Sequence, residues 1–241
     1  MFKGLRIFSR LLLLSVLFSV TVPSVFADDY KTPEKVLSAM EASLLKIKNR
    51  KLKFRTEATG AIAATFEGEV IFKKGNVIDY RTAGKFLGKE HKLFLFSDGA
   101  KLRGGPEGQQ AKSFEIACPT ELRSGILIGM SRMGLMHNIA RLSGNQPPER
   151  TDGTVTKWLG IVEPKFAKDH APDTPQAGAE LKHNDKKLMV VFFKLSVDGK
   201  NTGDVELWID TKTNLPSYRA ITVHFPQGDM FVTEKYEWSK V

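Results

Sequence analysis

The sequence contains a single cysteine, Cys118, among its 241 residues. One cysteine cannot form an internal disulfide, so a small secreted scaffold held together by disulfides is excluded. A lipid-anchored bacterial protein carries its acylated cysteine at the signal cleavage site, and no cysteine lies near the N-terminus of this chain. We therefore expect a mature N-terminus without a lipid anchor.

Long apolar runs are also scarce, and the one that is present stands at the N-terminus. Residues 1–10 carry three basic side chains and no acid, residues 11–22 are almost wholly apolar, and small residues precede Asp28. This pattern is typical of a secretory signal peptide cleaved after Ala27. The alternative is an uncleaved membrane anchor, but a spanning helix needs about 20 apolar residues and Pro23 interrupts this run. We expect residues 1–27 to be the signal peptide and residues 28–241 to form one exported domain, which is not an integral membrane protein.

The residue patterns of known catalytic and metal sites are missing. The five histidines do not have metal-ligand spacing, and the sequence has no G-x-S-x-G motif and no phosphate-binding loop. We therefore expect no metal, no cofactor and no enzymatic activity, with an undescribed hydrolase as the alternative.

Acidic residues are fewer than basic ones, 27 against 36. A basic chain can bind nucleic acid or an anionic membrane surface, or simply be soluble. Nucleic acid is a poor partner for an exported protein. Basic and acidic residues also alternate, as in residues 51–57, which is typical of the solvated face of a strand. We expect no nucleic-acid partner, whereas attraction to anionic lipid head groups is compatible with the charge.

The order of helical and strand patterns is clear over most of the chain. Thr32 and Pro33 are favourable residues for the start of a helix, and apolar residues follow at helical spacing as far as Ile47. Alternating patterns then predict antiparallel strands up to about residue 103, with an Asp98-Gly99 hairpin turn. A long apolar ridge predicts one helix over residues 120–142. Residues 158–162 are compatible with a strand, residues 165–178 read as a loop, and residues 188–238 return to strands.

Three segments of this pattern resemble the LolA/LolB-like superfamily of periplasmic lipoprotein carriers and lipoprotein-sorting proteins. They are residues 66–74 (FEGEVIFKK), residues 95–99 (LFSDG), and residues 205–210 (VELWID) followed by Leu215-Pro216. The resemblance implies an α+β fold, namely a curved, incomplete antiparallel β-barrel covered by helices. It also implies a hydrophobic cavity for lipid or lipoprotein acyl chains and a chaperone or transport role in the periplasm of a bacterium with an outer membrane. A membrane-bound donor or receptor would then be a further partner.

We predict that apolar residues of both strand regions and of the central helix line this cavity. The alternative is that they fill an ordinary core, because buried apolar side chains are the norm. Residues 93–96 are instructive, since both faces of this strand are apolar and each must be covered or line a cavity. The predicted ligand-binding residues are Phe54, Phe66, Phe72, Leu93, Leu95, Met130, Met133 and Leu207.

The sequence departs from the carrier pattern after the second strand. Carriers have an Arg-Pro pair there, and the arginine helps to hold the lid helices closed. This chain has Lys74-Gly75 instead. We predict Lys74 as the lid residue, although lysine lacks the bidentate guanidinium of arginine. An envelope regulatory or interaction module on the same fold, without a carrier cycle, is therefore the alternative function.

Overall fold

We describe the fold from a computed structural model, in which residues 32–143, 159–167 and 188–241 are described. The predicted signal peptide lies outside these residues, as does most of the predicted loop at 165–178. Among the described residues, no helix is both long enough and apolar enough to span a bilayer.

The described chain forms three α-helices and eleven strands. The helices are α1 (Pro33–Leu45), α2 (Leu122–Arg132) and α3 (Leu135–Ser143), and a short 3-10 turn spans Gln110–Lys112. The strands of the first half are β1 (Arg50–Gly60), β2 (Ala64–Phe72), β3 (Val77–Phe86), β4 (Lys89–Asp98), β5 (Lys101–Pro106) and β6 (Phe114–Ala117). Those of the second half are β7 (Leu159–Phe166), β8 (Leu188–Val197), β9 (Lys200–Asp210), β10 (Leu215–Val223) and β11 (Met230–Lys240).

All eleven strands belong to one antiparallel sheet, in the order β6-β5-β4-β3-β2-β1-β11-β10-β9-β8-β7. The two meanders of the chain meet where the first strand pairs with the last, from Arg50 opposite Lys240 to Gly60 opposite Met230. No pairing joins β6 to β7 among the described strands, so the sheet is open. The prediction of an open antiparallel sheet in an α+β fold is confirmed.

The sheet has an inner face that is buried and an outer face that is largely solvated. On β1, Leu52, Phe54, Thr56 and Ala58 are buried while the residues between them are exposed, as period-two alternation predicts. Strand β4 shows the consequence of having apolar residues on both faces. Leu93 and Leu95 are buried on the inner face, and the Arg103 guanidinium lies 5.3 Å from the centre of the partly buried Phe96 ring on the other face.

The start of α1 and the end of α2 have local causes in the sequence. The Thr32 hydroxyl caps α1 by accepting a hydrogen bond from the Lys35 amide at 3.4 Å. The predicted helix over 120–142 is wrong in one respect, because it is broken into α2 and α3. The break lies at Gly134, whose φ of +89° is a left-handed conformation that ends a helix and favours glycine.

Contacts tie the helices to each other and to both halves of the sheet. Helix α1 contacts α2, β7 and β10, α2 contacts β7, and α3 contacts β4 and β5. The strand predicted at 158–162 is longer than expected, since β7 continues to Phe166 and includes the first residues of the predicted loop.

Candidate functional site

The predicted cavity residues lie together on the inner face of the sheet and on α2. They come from β1, β2, β4, β9 and the helix, and they belong to one apolar cluster with the rest of the core. Seven of them are at most 4% exposed, and Met133 is partly buried against the same cluster. The seven are Phe54, Phe66, Phe72, Leu93, Leu95, Met130 and Leu207.

Such low exposure has a direct consequence for ligand binding. The protein's own atoms already surround these side chains, so an acyl chain could contact them only by displacing other groups. The apolar side chains of the helices are the candidates for displacement, because α2 buries nearly all of its residues, including Leu127 and Met130. Access of a ligand to this wall therefore depends on the contacts that attach the helices to the sheet.

The predicted lid residue, Lys74, is exposed in the turn between β2 and β3. The residue of this turn that contacts the helical layer is Asn76, two positions later. Its Nδ2 donates to the carbonyls of Pro119 at 3.2 Å and Thr120 at 2.5 Å, and its Oδ1 accepts from the Arg123 amide at 3.3 Å. The turn thus holds the start of α2 through the side-chain amide of Asn76 and not through the charge of Lys74.

A second attachment joins α1, α2 and β7 through Arg132. The guanidinium of this residue donates to both carboxylate oxygens of Glu41, from Nε at 2.7 Å and from Nη2 at 2.9 Å. Its remaining nitrogen donates to the Leu159 carbonyl. The ion pair is largely buried, with side chains 11% and 17% exposed. Bidentate geometry and partial burial make it stronger than the surface pairs of this protein.

The third attachment is a fully buried polar cluster beneath the α2–α3 junction. Arg219 on β10 and Glu234 on β11 are directly opposite each other, and both side chains are completely buried. Glu234 Oε2 accepts from Arg219 Nη1 at 3.2 Å and from the Tyr236 hydroxyl at 2.6 Å. Glu234 Oε1 accepts from the amides of Leu135 at 2.6 Å and Met136 at 3.0 Å.

This cluster holds both ends of the helix break. The amides of Leu135 and Met136 are the first donors of α3, which have no partner within the helix, so Glu234 acts as its N-terminal cap. Arg219 Nη2 donates to the Arg132 carbonyl at 2.6 Å, at the end of α2. One carboxylate and one guanidinium therefore fix the junction between the two helices against the sheet.

Gly134 is required at this junction for two reasons. Its positive φ disfavours any residue with a side chain, and a Cβ atom there would collide with Glu234 Oε2 and lie 2.6 Å from Arg219 Nη1. The glycine thus allows the backbone to approach the charged pair directly.

Two tyrosines surround the charged pair and stay neutral. Burial raises the pKa of Tyr236 well above its ordinary value, and the nearby Glu234 charge raises it further. Burial, and then the Glu234 charge, raise the pKa of Tyr80 in the same way. A neutral Tyr236 keeps the proton that it donates to Glu234.

This cluster was not predicted from the sequence, although a signal for it was present. Arg219 has the same strand parity as the buried Ile221, and Glu234 has the same parity as the buried Val232 and Tyr236. A charged residue at an inward-facing position is informative because buried charges must be paired. Checking which charged residues of the second meander occupy inward-facing strand positions would have identified Arg219 and Glu234.

The outer face of the sheet has cavities of a different character. One of about 800 Å³ is lined mainly by charged residues, including Lys53, Arg55 and Lys235. Another of about 500 Å³ contains the aromatic side chains of Phe192 and Phe231, with Glu163 and Lys165 among its other residues. Phe231 is 52% exposed, which is unusual for a large apolar residue in a strand.

Comparison with known proteins gives structural neighbours and no sequence match. No family profile and no curated protein matches the chain. The chain is similar to a LolA superfamily protein from Nitrosomonas europaea at 10% identity and a TM-score of 0.30, covering 87% of this chain and 94% of the other. It is similar to a domain assigned to an outer membrane lipoprotein-sorting protein from Vibrio parahaemolyticus at 7% identity and a TM-score of 0.32, covering 87% and 93%.

A third similar structure is a beta-barrel-like protein of a domain of unknown function from Brucella abortus, at 8% identity and a TM-score of 0.31, covering 80% of this chain and 97% of the other. At these values the neighbours supply neither residue roles nor a function. Two of these three solved structures carry the LolA or lipoprotein-sorting name.

Proposed function

We propose that the protein is exported to the periplasm, where it binds lipid or lipoprotein acyl chains between the inner face of the sheet and the helices, without covalent chemistry. The observation that carries the proposal is an apolar inner wall, contributed by both meanders, that meets the helical layer at a few identifiable polar attachments. The helices would cover this wall in the unliganded protein and be displaced when a chain enters. Trafficking of outer-membrane lipoproteins or lipids is the role that the sequence resemblance implies.

The energetics favour an exchange mechanism. Burying one methylene contributes about 0.8 kcal/mol, so a chain of about a dozen methylenes could supply roughly 10 kcal/mol gross. That gain must offset two costs. One is the free energy lost when helix side chains leave the apolar wall, and the other is the free energy lost when the polar attachments loosen. Methionines such as Met130 and Met133 suit such repacking, because their side chains are flexible and polarisable.

The Glu41–Arg132 pair is the best attachment to loosen experimentally, because it is not completely buried, unlike the Arg219–Glu234 pair. We expect Glu41→Gln to keep the fold and to increase the rate at which the protein takes up dansyl-undecanoic acid, followed by dansyl fluorescence. Glu57→Gln is the matched control, because it removes an exposed pair, Arg55–Glu57, on the outer face. Equal uptake rates in both variants and the unaltered protein would contradict a role for the helices in access.

The location of the bound chain is a separate test. A fatty acid with a photoreactive diazirine should label the inner face, including β4 near Leu95 and α2 near Met130, as detected by peptide mass spectrometry. Lipid extracted from the purified protein should be detectable by mass spectrometry as well. Absence of bound lipid together with absence of inner-face labelling would refute the proposal.

The second candidate is an envelope regulatory or interaction module on the same fold. The observation that favours it is the apolar cavity on the outer face with the exposed Phe231, while the inner residues are fully packed. In the labelling experiment this alternative predicts no specific modification of the inner wall.

A further inference from the structure

The two outermost strands of the open sheet differ in whether they can accept a further strand. Strand β7, at one edge, is interrupted, because its pairing with β8 shifts register between Val162 and Lys165. Within that interruption Glu163 has a φ of +50° and Pro164 has no amide hydrogen. Bulges and prolines of this kind protect an edge strand against further pairing. Strand β6, at the other edge, has neither feature.

The backbone groups on the free side of β6 follow from its register with β5. In an antiparallel pair, residues that exchange hydrogen bonds with the neighbouring strand alternate with residues whose amide and carbonyl point away from it. The Cys118 amide donates to the Ala100 carbonyl at 2.8 Å, and Ile116 has the same parity as Cys118. The amides and carbonyls of Glu115 and Ala117 therefore point to the free side. No hydrogen bond to these four groups is found in the described parts of the chain.

The edge is accessible, and it leaves one large apolar side chain uncovered. Glu115, Ile116 and Ala117 are all exposed, and Ile116 is 39% exposed. Ile116 lies on the inner side of the sheet, because it is opposite the completely buried Leu102. Glu115 lies on the outer side, where Lys101 Nζ is 2.6 Å from its carboxylate. A further strand beside β6 would cover the isoleucine and use the free backbone groups.

A second copy of β6 fits this edge in one register. With Ile116 opposite its own copy, Glu115 of each chain faces Ala117 of the other. Both of these pairs are hydrogen-bonded pairs, each of which exchanges two bonds, so all the free groups of both chains are used. The two isoleucines lie next to each other on the inner side, and no like charges are directly opposite.

The neighbouring registers are unfavourable. A shift of the second strand by two residues in one direction places Glu115 opposite its own copy, which brings like charges together. A shift by two residues in the other direction places Glu115 opposite Pro119, which has no amide to donate. A shift by one residue aligns the free groups with groups that already bond to β5. The sequence of this edge is therefore complementary to itself.

We infer that the protein forms a two-fold symmetric dimer in which the β6 strands of two copies pair antiparallel. This inference concerns one edge of the sheet and does not depend on lipid binding or on export. A dimer in which both copies contribute the same patch is the commonest arrangement of soluble homo-oligomers. The interface is small, so we expect a dissociation constant of about 10–100 μM.

The first test removes an amide that the fold does not use. Ala117→Pro deletes an outward amide and keeps the bonds to β5, and proline is tolerated at such a position of an edge strand. Sedimentation velocity of the purified full chain, at increasing micromolar concentrations, should show a monomer–dimer equilibrium. Ala117→Pro should weaken dimerisation about 30-fold, because two of the four bonds between the copies are lost. Urea unfolding of this variant should show a nearly unchanged stability.

The second test removes the apolar contact between the copies. Ile116→Asn should weaken dimerisation about tenfold, because the contact between the two isoleucines is lost. Val162→Asn is the matched control, since Val162 is 41% exposed and lies on the other edge strand. This control should dimerise like the unaltered protein. All variants share the same N-terminal segment, so differences between them report on the edges.

Disulfide formation tests the register itself. The background is Cys118→Ser, which leaves the chain without a cysteine. Ile116→Cys then places two cysteines opposite each other at a non-hydrogen-bonded position, where the Cα atoms of antiparallel strands are about 4.5 Å apart. Mild oxidation should give a covalent dimer on a non-reducing gel. Glu115→Cys is the control, because its copy lies about 7–8 Å away on the diagonal and is too distant for a disulfide.

The inference is overturned if the unaltered protein is monomeric at every concentration, if Ala117→Pro dimerises equally well, or if Glu115→Cys cross-links as readily as Ile116→Cys. Loss of dimerisation in Val162→Asn would also overturn it, and would place the contact on β7. A protein that stays monomeric but binds a short synthetic peptide of alternating threonine and valine would overturn it as well. That result would identify a foreign extended peptide as the occupant of the edge.

Discussion

Breaking the buried Arg219–Glu234 pair should lower the free energy of unfolding far more than the distance between the two charged groups suggests. Glu234→Gln keeps an oxygen that can accept from the Leu135 and Met136 amides, but it leaves the Arg219 guanidinium without its charged partner. Both side chains are completely buried, and removing one member of such a pair typically costs about 3–5 kcal/mol. We expect about 3 kcal/mol for Glu234→Gln and a similar loss for Arg219→Met.

A double-mutant cycle isolates the interaction from these single effects. Combining Arg219→Met with Glu234→Gln removes both charges, so the double variant should be about 2–3 kcal/mol more stable than the sum of the single losses predicts. The free energies come from urea unfolding followed by circular dichroism. Arg219→Met and Glu234→Gln should also move the near-ultraviolet signal of the buried tyrosines.

The control cycle uses Arg55 and Glu57, which form an ion pair of 2.7 Å on the outer face. That distance is shorter than the 3.2 Å of the buried pair, yet the coupling should stay below about 1 kcal/mol, because both side chains are exposed. If distance alone decided the coupling energy, the exposed Arg55–Glu57 pair would be the stronger of the two. A coupling below 1 kcal/mol for Arg219 and Glu234 would refute the argument that burial dominates.

Three further predictions concern the attachments of the helices and the rim of the sheet. Gly134→Ala should lower the free energy of unfolding by about 2–3 kcal/mol in urea, because it combines a positive φ with a steric collision; a loss below 1 kcal/mol would contradict the collision. Asn76→Ala should lower stability by about 1–2 kcal/mol while Lys74→Ala changes it little, and equal effects would restore Lys74 as the attachment. Hydrogen bonds to Asp229 and then Asp204 raise the pKa of His224, so the stability that this residue contributes should be present below pH 6.5 and be lost as the pH rises through the folded-state pKa. His224→Gln should flatten that dependence, and an identical pH profile would exclude the contribution.

Local patterns in the sequence predict most of the strands. The alternation at Phe66, Val70 and Phe72 defines an inner face, and the Asp98-Gly99 signal fixes a hairpin, because side-chain parity and turn chemistry act over a few residues. The start of α1 follows equally well from Thr32. These features need no knowledge of distant parts of the chain.

The candidate site is less accessible to this kind of reasoning. The break at Gly134 depends on Glu234, which is 100 residues away and becomes its neighbour only in the folded sheet. The predicted role of Lys74 rests on the carrier resemblance, whereas the contact made by Asn76 depends on where the chain before α2 happens to lie. The predicted cavity residues lie together on one wall. Whether they bind a ligand depends on whether the helices can move away from the sheet. The alternation of side chains along a strand gives no information about that movement.

The pairing of β1 with β11 links the biogenesis of the protein to its fold. Residues 50 and 240 become neighbours, so the seam between the two meanders cannot close until the last strand has been synthesised. Glu234 arrives with that strand, and α3 has no acceptor for its first amides before then. Such a late, long-range closure is slow compared with local pairing. The chain should therefore remain incompletely folded until its synthesis is complete, and the export proposed above would use this state, because a secretion channel accepts unfolded chains.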